Sequence, residues 1–447
     1  MVELAKMPKY EAYKNSGIDW LGNVPATWNI YTLKRTVDGC TNGLWGDDPK
    51  DESDIIVLRV ADFDRNKLTI QDENLTYRNI PIKERRGRLL KKGDLLIEKS
   101  GGGDKTLVGC VVLFDKSYEA VTSNFVAKMT PKHGFYSNYL KYVFSSLYDQ
   151  KINYLSIKQT TGIQNLDSAS YLNEKFAFPI FSEQRVIAHF LDNRTALIDD
   201  AIAIKQQQIL LLKERKQIII QEAVTRGLNP DVPMKCSGVD WIGDIPEHWE
   251  IKRAKYLFKE IDERSVDGKE ELLSVSHITG ITPRSEKSVT MIAEDYSGSK
   301  TCQKNDLVMN IMWAWMGALG VSGRPGIVSS AYSIFRQTPL NIFNPIYLEW
   351  LLKTVGYIEH YNRVSTGLHS SRLRFYSRMF FDMEIGYPSR NEQDEIVTHI
   401  EKQSFKIDEA VELQKQQIEK LKEYKTTLIN SAITGKIKVP EVDSEIN

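Results

Sequence analysis

Residues 182–226 read SEQRVIAHFLDNRTALIDDAIAIKQQQILLLKERKQIIIQEAVTR, and this stretch contains neither proline nor glycine. Since those two residues are the strongest helix breakers, the stretch predicts one uninterrupted helix of roughly 65 Å at 1.5 Å per residue. Ser182 followed by Glu183 supplies a capping pattern at its start, and Gly227 a stop at its end.

A second long helix is predicted for residues 389–434, which also lack proline and glycine. It follows Pro388 and begins with a capping box, in which Ser389 is followed three residues later by Glu392. Gly435 supplies the stop. The chain is therefore expected to contain two helices of nearly equal length.

Both helices contain a mostly apolar seam with the heptad spacing of coiled coils. The expected pairing residues are Ile198, Ile202, Ile209, Leu212 and Ile219 in the first helix, and Ile407, Val411, Ile418, Leu421 and Leu428 in the second. Polar residues interrupt the two seams at matching places. The simplest partner of each helix is the other one, and antiparallel pairing is favoured because the halves are joined head to tail. On periodicity alone, a generic coiled-coil segment is an equally good interpretation.

Two blocks of sequence occur twice. Residues 16–22 with Pro25 and Trp28 reappear 221 residues later as residues 237–243 with Pro246 and Trp249. Residues 179–214 are matched 209 residues later by residues 388–423. The stretches between the blocks differ, which indicates one repeated frame with two different contents. Residues 434–440 also resemble residues 225–233, as if the C-terminus should lead back into the first block.

The dissimilar stretches are predicted to be mixed α/β domains, because strand-like runs such as residues 54–60 and 94–97 alternate with turns and helical segments. Comparable short motifs in both stretches favour one shared fold. The predicted fold class is α/β (α+β): two copies in a pseudo-twofold arrangement, separated by two long antiparallel helices that form a coiled coil. The predicted segments are a first domain at 1–181, a helix at 182–226, a linker and second domain at 227–388, a helix at 389–434 and a tail at 435–447.

Composition is typical of a globular protein of several domains, with 447 residues, 41% hydrophobic and 26% charged. Lysine plus arginine and aspartate plus glutamate both number 59, so nucleic-acid binding would depend on local basic patches. The four cysteines form no CxxC pair, which argues against a zinc ribbon. No secretory signal or membrane-spanning run is recognisable, and we expect a cytoplasmic protein that does not bind membranes.

Residues 237–249, and residues 179–184 followed by the long helix, resemble the specificity subunits of type I restriction-modification enzymes over almost the whole chain. Residues 306–317 and 326–332 resemble the second target-recognition domain of that family. The resemblance implies a noncatalytic subunit whose two domains each read half of an asymmetric bipartite site in double-stranded DNA. It also implies that the helices set the gap and dock two modification subunits, beside restriction (translocase) subunits. S-adenosylmethionine, ATP and Mg are expected on those partners, with no cofactor on this chain.

Candidate DNA contacts are small polar, basic and amide side chains near glycines, where the backbone can approach a phosphate or a base edge. The glycines themselves and two tryptophans, which would present an aromatic surface, complete the set. In the first domain they are Lys99, Ser100, Gly101, Gly102, Lys105, Thr106, Thr160, Thr161 and Gln164; in the second they are Asn310, Trp313, Trp315, Ser365, Thr366, Ser370 and Arg372. Alternatively, the glycine-rich segment is a solvated hairpin turn and the paired tryptophans belong to a core.

Catalytic motifs are incomplete. Asn229-Pro230 and Asn344-Pro345 lack the second proline of the adenine methyltransferase motif, and Asp104 stands where a phosphate-binding loop needs glycine. Asp94 and Glu98 resemble nuclease carboxylates only in spacing. No catalytic or metal residue is predicted, and the alternative function is a coiled-coil interaction scaffold that does not read DNA; a stand-alone nuclease or methyltransferase is less well supported.

Overall fold

The computed structural model describes residues 6–50, 54–102, 106–160, 162–284, 295–367 and 373–440. The chain divides into two compact units. The first unit consists of Met1–Lys205 together with Lys415–Asn447, and the second unit is Gln206–Gln414. Each unit therefore takes one part of each long helix.

Among its described residues, the first unit contains short strands and three short α-helices; the first long helix begins in it and the second ends in it. Its strands are β1 (Tyr13–Asn15), β2 (Asn23–Pro25), β3 (Asn29–Thr32), β4 (Thr41–Asn42), β5 (Ile55–Leu58), β6 (Phe63–Asp64), β7 (Thr69–Ile70), β8 (Thr76–Arg78), β9 (Leu95–Glu98), β10 (Ser100–Gly101), β11 (Val111–Leu113), β12 (Ala120–Thr122), β13 (Val126–Met129), β14 (Ile157–Thr160), β15 (Ile163–Leu166) and β16 (Lys175–Phe178). Its helices are α1 (Ile82–Arg85), α2 (Ser137–Asp149), α3 (Ser168–Tyr171) and the start of α4 (Phe181–Arg226).

The second unit follows the same plan. Its strands are β17 (Met234–Cys236), β18 (Asp244–Pro246), β19 (Glu250–Arg253), β20 (Phe258–Ile261), β21 (Leu273–Ser276), β22 (Gly280–Pro283), β23 (Lys300–Cys302), β24 (Leu307–Met309), β25 (Leu319–Val321), β26 (Gly326–Val328), β27 (Ser333–Gln337) and β28 (Glu384–Tyr387). Its helices are α5 (Pro345–Leu352), α6 (Val355–Val364), α7 (Ser377–Asp382) and the start of α8 (Arg390–Ile433).

Strands and helices occur in both units, which confirms the mixed α/β prediction, and the central sheets of the two units have the same topology. The first has the strand order β11-β9-β13-β4 and the second β25-β24-β27-β20, and every pairing in them is antiparallel. The central strands β9 and β24 are buried on both faces, because alternate side chains of a strand point to opposite sides. In β9, Leu95 and Ile97 pack in one apolar cluster and Leu96 packs in another on the opposite face. In β24, Leu307 and Met309 likewise pack in one cluster and Val308 in another.

Within each unit the two long helices pair antiparallel, as expected from halves that are joined head to tail. In the first unit, Asp199 of α4 accepts a hydrogen bond from Lys425 of α8 at 2.7 Å. Six residues further along α4, Lys205 donates to Gln417, which lies eight residues before Lys425 on α8, so the two helices run in opposite directions. In the second unit, Lys216 donates to Asp408, and the later Ala223 packs in one cluster with the earlier Ile400. The predicted pairing residues are buried (Ile198, Ile407, Val411, Ile418, Leu428) or half-buried (Ile202, Ile209, Leu212, Ile219, Leu421).

The repeated blocks are the residues that attach each domain to its helix pair. The indole nitrogen Nε1 of Trp28 donates to Glu183 Oε1 at 3.2 Å, and that of Trp249 donates to Glu392 Oε1 at 3.1 Å. The side-chain amide of Gln184 closes the start of α4 by donating to the Pro179 carbonyl at 3.0 Å. Gln393 does the same with Pro388 at 3.0 Å before α8.

The end of α8 returns to the start of the chain in the first unit. The amide of Lys438 donates to the carbonyl of Pro8 at 2.7 Å, and the Tyr13 hydroxyl donates to the Gly435 carbonyl at 3.1 Å. In the second unit the corresponding junction, after Gly227, is a continuous chain. This arrangement explains why the sequence after the second helix resembles the linker after the first.

Candidate nucleic-acid interface

Two segments that the sequence singles out separately are neighbours in the first unit. The strand β10, which contains Ser100 and Gly101, pairs with β15 so that Gly101 lies opposite Gln164. On its other side β15 pairs with β14, with Thr160 opposite Ile163. The loop after the central strand β9 and the turn between β14 and β15 therefore belong to one small sheet.

The second unit brings the corresponding segments together in the same way. Ile311, which follows the central strand β24, accepts a hydrogen bond through its carbonyl from the Phe375 amide at 3.0 Å. Thr366 and Arg374 exchange two backbone hydrogen bonds of 3.1 and 2.9 Å, and these close the neck of the loop that follows Ser365. In both units, the end of the central strand thus meets a polar hairpin.

The candidate side chains of the first unit differ in exposure and in the hydrogen bonds that they make within the protein. Lys99 is half-buried and donates through Nζ to Asn42 Oδ1 at 2.8 Å, and Thr106 is exposed. Gln164 is buried, and its Oε1 accepts from the Val108 amide at 3.1 Å, so this side chain holds the loop. Lys105 and Thr161 lie outside the described residues, as does the side chain of Thr160.

Gly102 is required by the backbone of this loop. Its φ is +67°, a conformation that L side chains rarely adopt, and an added Cβ would lie 2.8 Å from the Thr106 carbonyl oxygen. Gly101 has a φ of +133°. The glycines therefore set the path of the loop beside β15.

The candidate residues of the second unit also include buried side chains with partners in the protein and one that is exposed to solvent. Asn310 is buried, its Nδ2 donates to the Tyr332 hydroxyl at 3.0 Å, and its Oδ1 accepts from the Met312 amide. The Trp315 indole donates to the Met312 carbonyl at 3.1 Å. Trp313 stacks on Trp315 at 6.1 Å between ring centroids yet is 45% exposed, so it presents an aromatic face to solvent.

At the base of the hairpin in the second unit, the side chain of Ser365 is hydrogen-bonded within the protein. The Ser365 hydroxyl donates to the Tyr361 carbonyl at 2.6 Å at the end of α6, and Thr366 is exposed. Ser370 and Arg372 lie outside the described residues. Contact between these side chains and DNA stays a prediction.

A basic segment that the sequence reasoning missed adjoins the candidate loop of the first unit. Residues 83–88 read KERRGR, and Lys83 and Arg86 are exposed. Arg88 Nε donates to the Asn42 carbonyl at 3.2 Å, which places it beside Lys99 on the same asparagine. Four basic residues within six would have identified this segment, had charge been counted locally.

Two exposed aromatic residues near the loop were also missed. Trp45 is 37% exposed, with the Arg78 guanidinium 4.5 Å from the centroid of its ring. Phe125 is 49% exposed, and its carbonyl accepts from the amides of Lys99 and Ser100 at 2.8 and 3.2 Å. Isolated aromatic residues give no periodic signal, so only the strand pairing shows that they adjoin the candidate segment.

The carboxylates that resemble a nuclease motif are bound within the protein. Asp94 accepts from the Lys91 amide at 2.8 Å and from the Thr130 hydroxyl at 2.7 Å. Glu98 pairs with Arg65 at 2.8 Å; burial raises its pKa, and the neighbouring guanidinium opposes that rise. Across the described ranges, no cluster of three or more His, Cys, Asp or Glu side chains is arranged to hold a metal ion.

None of the described helices combines the length and the apolar character that crossing a membrane requires.

Comparison with known proteins gives one consistent result. The family model described as the type I restriction modification DNA specificity domain matches residues 47–214. The type I restriction enzyme MjaVIII specificity subunit of Methanocaldococcus jannaschii is 22% identical over 320 residues, which cover 68% of this chain and 71% of that protein. The MjaX specificity subunit of the same organism is 22% identical over 456 residues, covering 98% and 100% of the two chains.

A solved structure supports the same fold. It was reported for the complex assembly and conformational transition of the type I restriction-modification system, and one of its chains superimposes with a TM-score of 0.64 at 12% identity. The match covers 92% of this chain and 98% of the other. The matched domain and the two relatives support a specificity subunit of a type I restriction-modification system, and the solved structure shows that the fold is shared.

Proposed function

We propose that this chain is the noncatalytic subunit that reads an asymmetric, bipartite target in double-stranded DNA, each unit reading one half. The observation that carries the proposal is the repeated geometry of the two candidate segments. At the end of β9 and at the end of β24, a loop is hydrogen-bonded to a polar hairpin, yet the side chains of the two loops differ. One scaffold that presents two sets of side chains suits two different half-sites.

The charges of the first unit fit the usual division between phosphate and base contacts. Phosphate contacts give most of the affinity and come from lysine and arginine, while base edges in the grooves give the specificity. Arg88 and Lys99 bond to the same asparagine, Asn42, and Lys83 and Arg86 add exposed positive charge within the segment that contains Arg88. The formal net charge of zero is compatible with binding, because positive charge is concentrated locally.

The long helices are the proposed docking surface for two modification subunits, and they set the distance between the half-sites. Beyond its pairing seam, α4 has apolar side chains at intervals of seven residues: Leu197, Ile204, Leu211 and Ile218, which are 49–62% exposed. A second heptad stripe that is exposed to solvent is typical of a helix that accepts another protein. Restriction subunits would complete the assembly, with S-adenosylmethionine, ATP and Mg bound by the partners.

Methylation mapping tests this function. The chain is co-expressed with its modification subunits in a host that lacks adenine methylation, and methylated adenines are located across the genome. We expect one motif of two different parts, separated by a gap of fixed length without sequence preference. A continuous or palindromic motif would contradict the proposal, and assembly without any DNA binding would favour the interaction scaffold.

A further inference from the structure

A concave surface of about 440 Å³ lies beside the candidate loop of the first unit. Its apolar lining comes from Trp45, Val60, Ala61 and Phe125, and the backbone of Gly101 and Gly102 borders it. The two aromatic side chains are 37% and 49% exposed, so apolar surface faces the solvent here. A concavity of this size with a mainly apolar lining has the character of a ligand-binding pocket.

The polar groups around this concavity are mostly engaged within the protein. The Arg59 guanidinium pairs with Asp62 at 2.9 Å, and Glu98 pairs with Arg65. The Ser100 hydroxyl donates to Asn165. These side chains have partners already, so they leave apolar contact as the main interaction that the concavity offers.

One hydroxyl in the lining lacks a partner. Ser123 is 1% exposed, and its Oγ has no hydrogen-bond partner within the described part of the chain. A buried hydroxyl without a partner is unusual, since leaving a polar group unsatisfied costs free energy. Because this oxygen is itself buried, it would meet a ligand in the concavity only after rotation of the Ser123 side chain.

The walls are held in place before any ligand arrives. The Phe125 carbonyl is fixed by the amides of Lys99 and Ser100, and the amide of Leu44, next to Trp45, donates to the Thr122 carbonyl at 2.8 Å. A cavity whose aromatic walls are fixed by backbone hydrogen bonds loses little conformational freedom on binding.

We propose that this concavity receives the major-groove edge of a thymine in the half-site read by the first unit. In the major groove, thymine alone presents a methyl group beside a hydrogen-bond acceptor, O4, and apolar side chains are what contact that methyl. The apolar walls match the methyl, and the Ser123 hydroxyl matches the acceptor. This inference rests on the proposed function, because it assigns a base to the same DNA-reading surface.

The test replaces thymine by deoxyuridine, which lacks only the methyl group, at each thymine of the mapped target in turn. Binding of the assembled complex to each duplex is measured at fixed salt. We expect deoxyuridine to weaken binding about fourfold at one thymine of one half-site, as for the loss of a buried methyl. In the complex with Phe125→Ala, that same replacement should have no further effect.

Tyr77→Ala is the matched control, since Tyr77 is an exposed aromatic residue of the first unit outside the concavity. With this variant, the deoxyuridine effect should persist in full. A half-site without thymine, or deoxyuridine effects that are the same in the wild-type and Phe125→Ala complexes, would overturn the inference while leaving the proposed function intact. A complex that binds no bipartite target would instead overturn the proposed function. The wild-type comparison involves no altered protein, so misfolding of a variant cannot obscure it.

Discussion

Lys425 donates hydrogen bonds to both carboxylate oxygens of Asp199 at 2.7 Å, and these two residues join α8 to α4 in the first unit. Their repeat counterparts make the same contact in the second unit, where Lys216 donates to both oxygens of Asp408 at 2.9 and 2.7 Å. Lys216 and Lys425 are one matching pair among the polar residues that interrupt the two apolar seams. The interruptions therefore have a structural role, which is to fix which residues of the two helices face each other.

Breaking one of these ion pairs should destabilise its unit. Asp199→Ala leaves the half-buried ammonium of Lys425 without its carboxylate, and we expect the free energy of unfolding of the first unit to fall by about 1–3 kcal/mol. Urea unfolding followed by hydrogen exchange of the first unit measures this change. The control is Glu419→Ala, which breaks an exposed pair with Lys422 on α8 and should cost less than about 0.5 kcal/mol. Equal losses in the two variants would show that the seam pair has no special role.

The pH dependence of the second unit should contain a contribution from His360. Its ring stacks on Trp241 at 3.7 Å between centroids, and burial, aided by the nearby Arg363, lowers the pKa of His360 from 6.5 to about 4. The unfolded chain then binds a proton more readily than the folded one. The contribution of neutral His360 to the free energy of unfolding is present in full above pH 6.5, and up to roughly 3 kcal/mol of it is lost as the pH falls from 6.5 to 4.

A substitution that cannot titrate isolates this contribution. With His360→Gln, we expect the loss of stability between pH 6.5 and 4 to be smaller than in the wild type, as measured by urea unfolding of the second unit at several pH values. His277→Gln, at an exposed position of the same unit, should leave the wild-type pH dependence unchanged. If the free energy of unfolding changed with pH in the same way in the wild type and in His360→Gln, a neutral, buried His360 would be ruled out as the cause.

The path of the candidate loop in the first unit should require a residue without Cβ at position 102. In Gly102→Ala, the new Cβ would meet the Thr106 carbonyl and the backbone would be strained, so we expect weaker DNA binding by the assembled complex and a stability loss of about 1–2 kcal/mol. Gly162→Ala is a matched control because Gly162 also has a positive φ, +84°, but open space around it. If both variants bound DNA like the wild type, the path of this loop would be irrelevant to recognition.

The basic segment before β9 should add affinity without specificity. Removing the exposed charges in Lys83→Ala/Arg86→Ala should weaken binding to all sequences alike and lower the salt dependence, the slope of log K against log[salt], by about two. Titrations at several salt concentrations on cognate and unrelated duplexes measure both quantities. Lys420→Ala on α8 is the control, since this exposed lysine lies on a helix rather than at the candidate interface. An unchanged slope, or a loss confined to the cognate duplex, would contradict the assigned role.

The frame of the molecule was predictable because its residues recur. Trp28 and Glu183 reappear as Trp249 and Glu392, and each pair forms the same hydrogen bond between a domain and a helix. The helix seam was predictable because a spacing of three and four residues determines which side chains share a face. The sequence could also place the candidate loops, since glycine and small polar residues restrict where the chain turns.

The direction of individual side chains was not predictable. Gln164 and Asn310 have the chemistry of base-reading residues, but their amides satisfy the Val108 and Met312 backbone amides inside the protein. Trp45 and Phe125 are 80 residues apart in sequence, and only the pairing around β12 and β13 brings them to one surface. Non-local contacts of this kind leave no trace in local spacing.

Whether each unit reads its own half-site is decided by the methylation map of the co-expressed complex, compared between the wild type and a chain with Phe125→Ala in the first unit. We expect a motif of two unlike parts separated by a fixed gap, with the variant relaxing the sequence of one part and leaving the other part and the gap unchanged. A single continuous motif, or a variant that altered both parts together, would contradict the claim that each unit reads its own half-site.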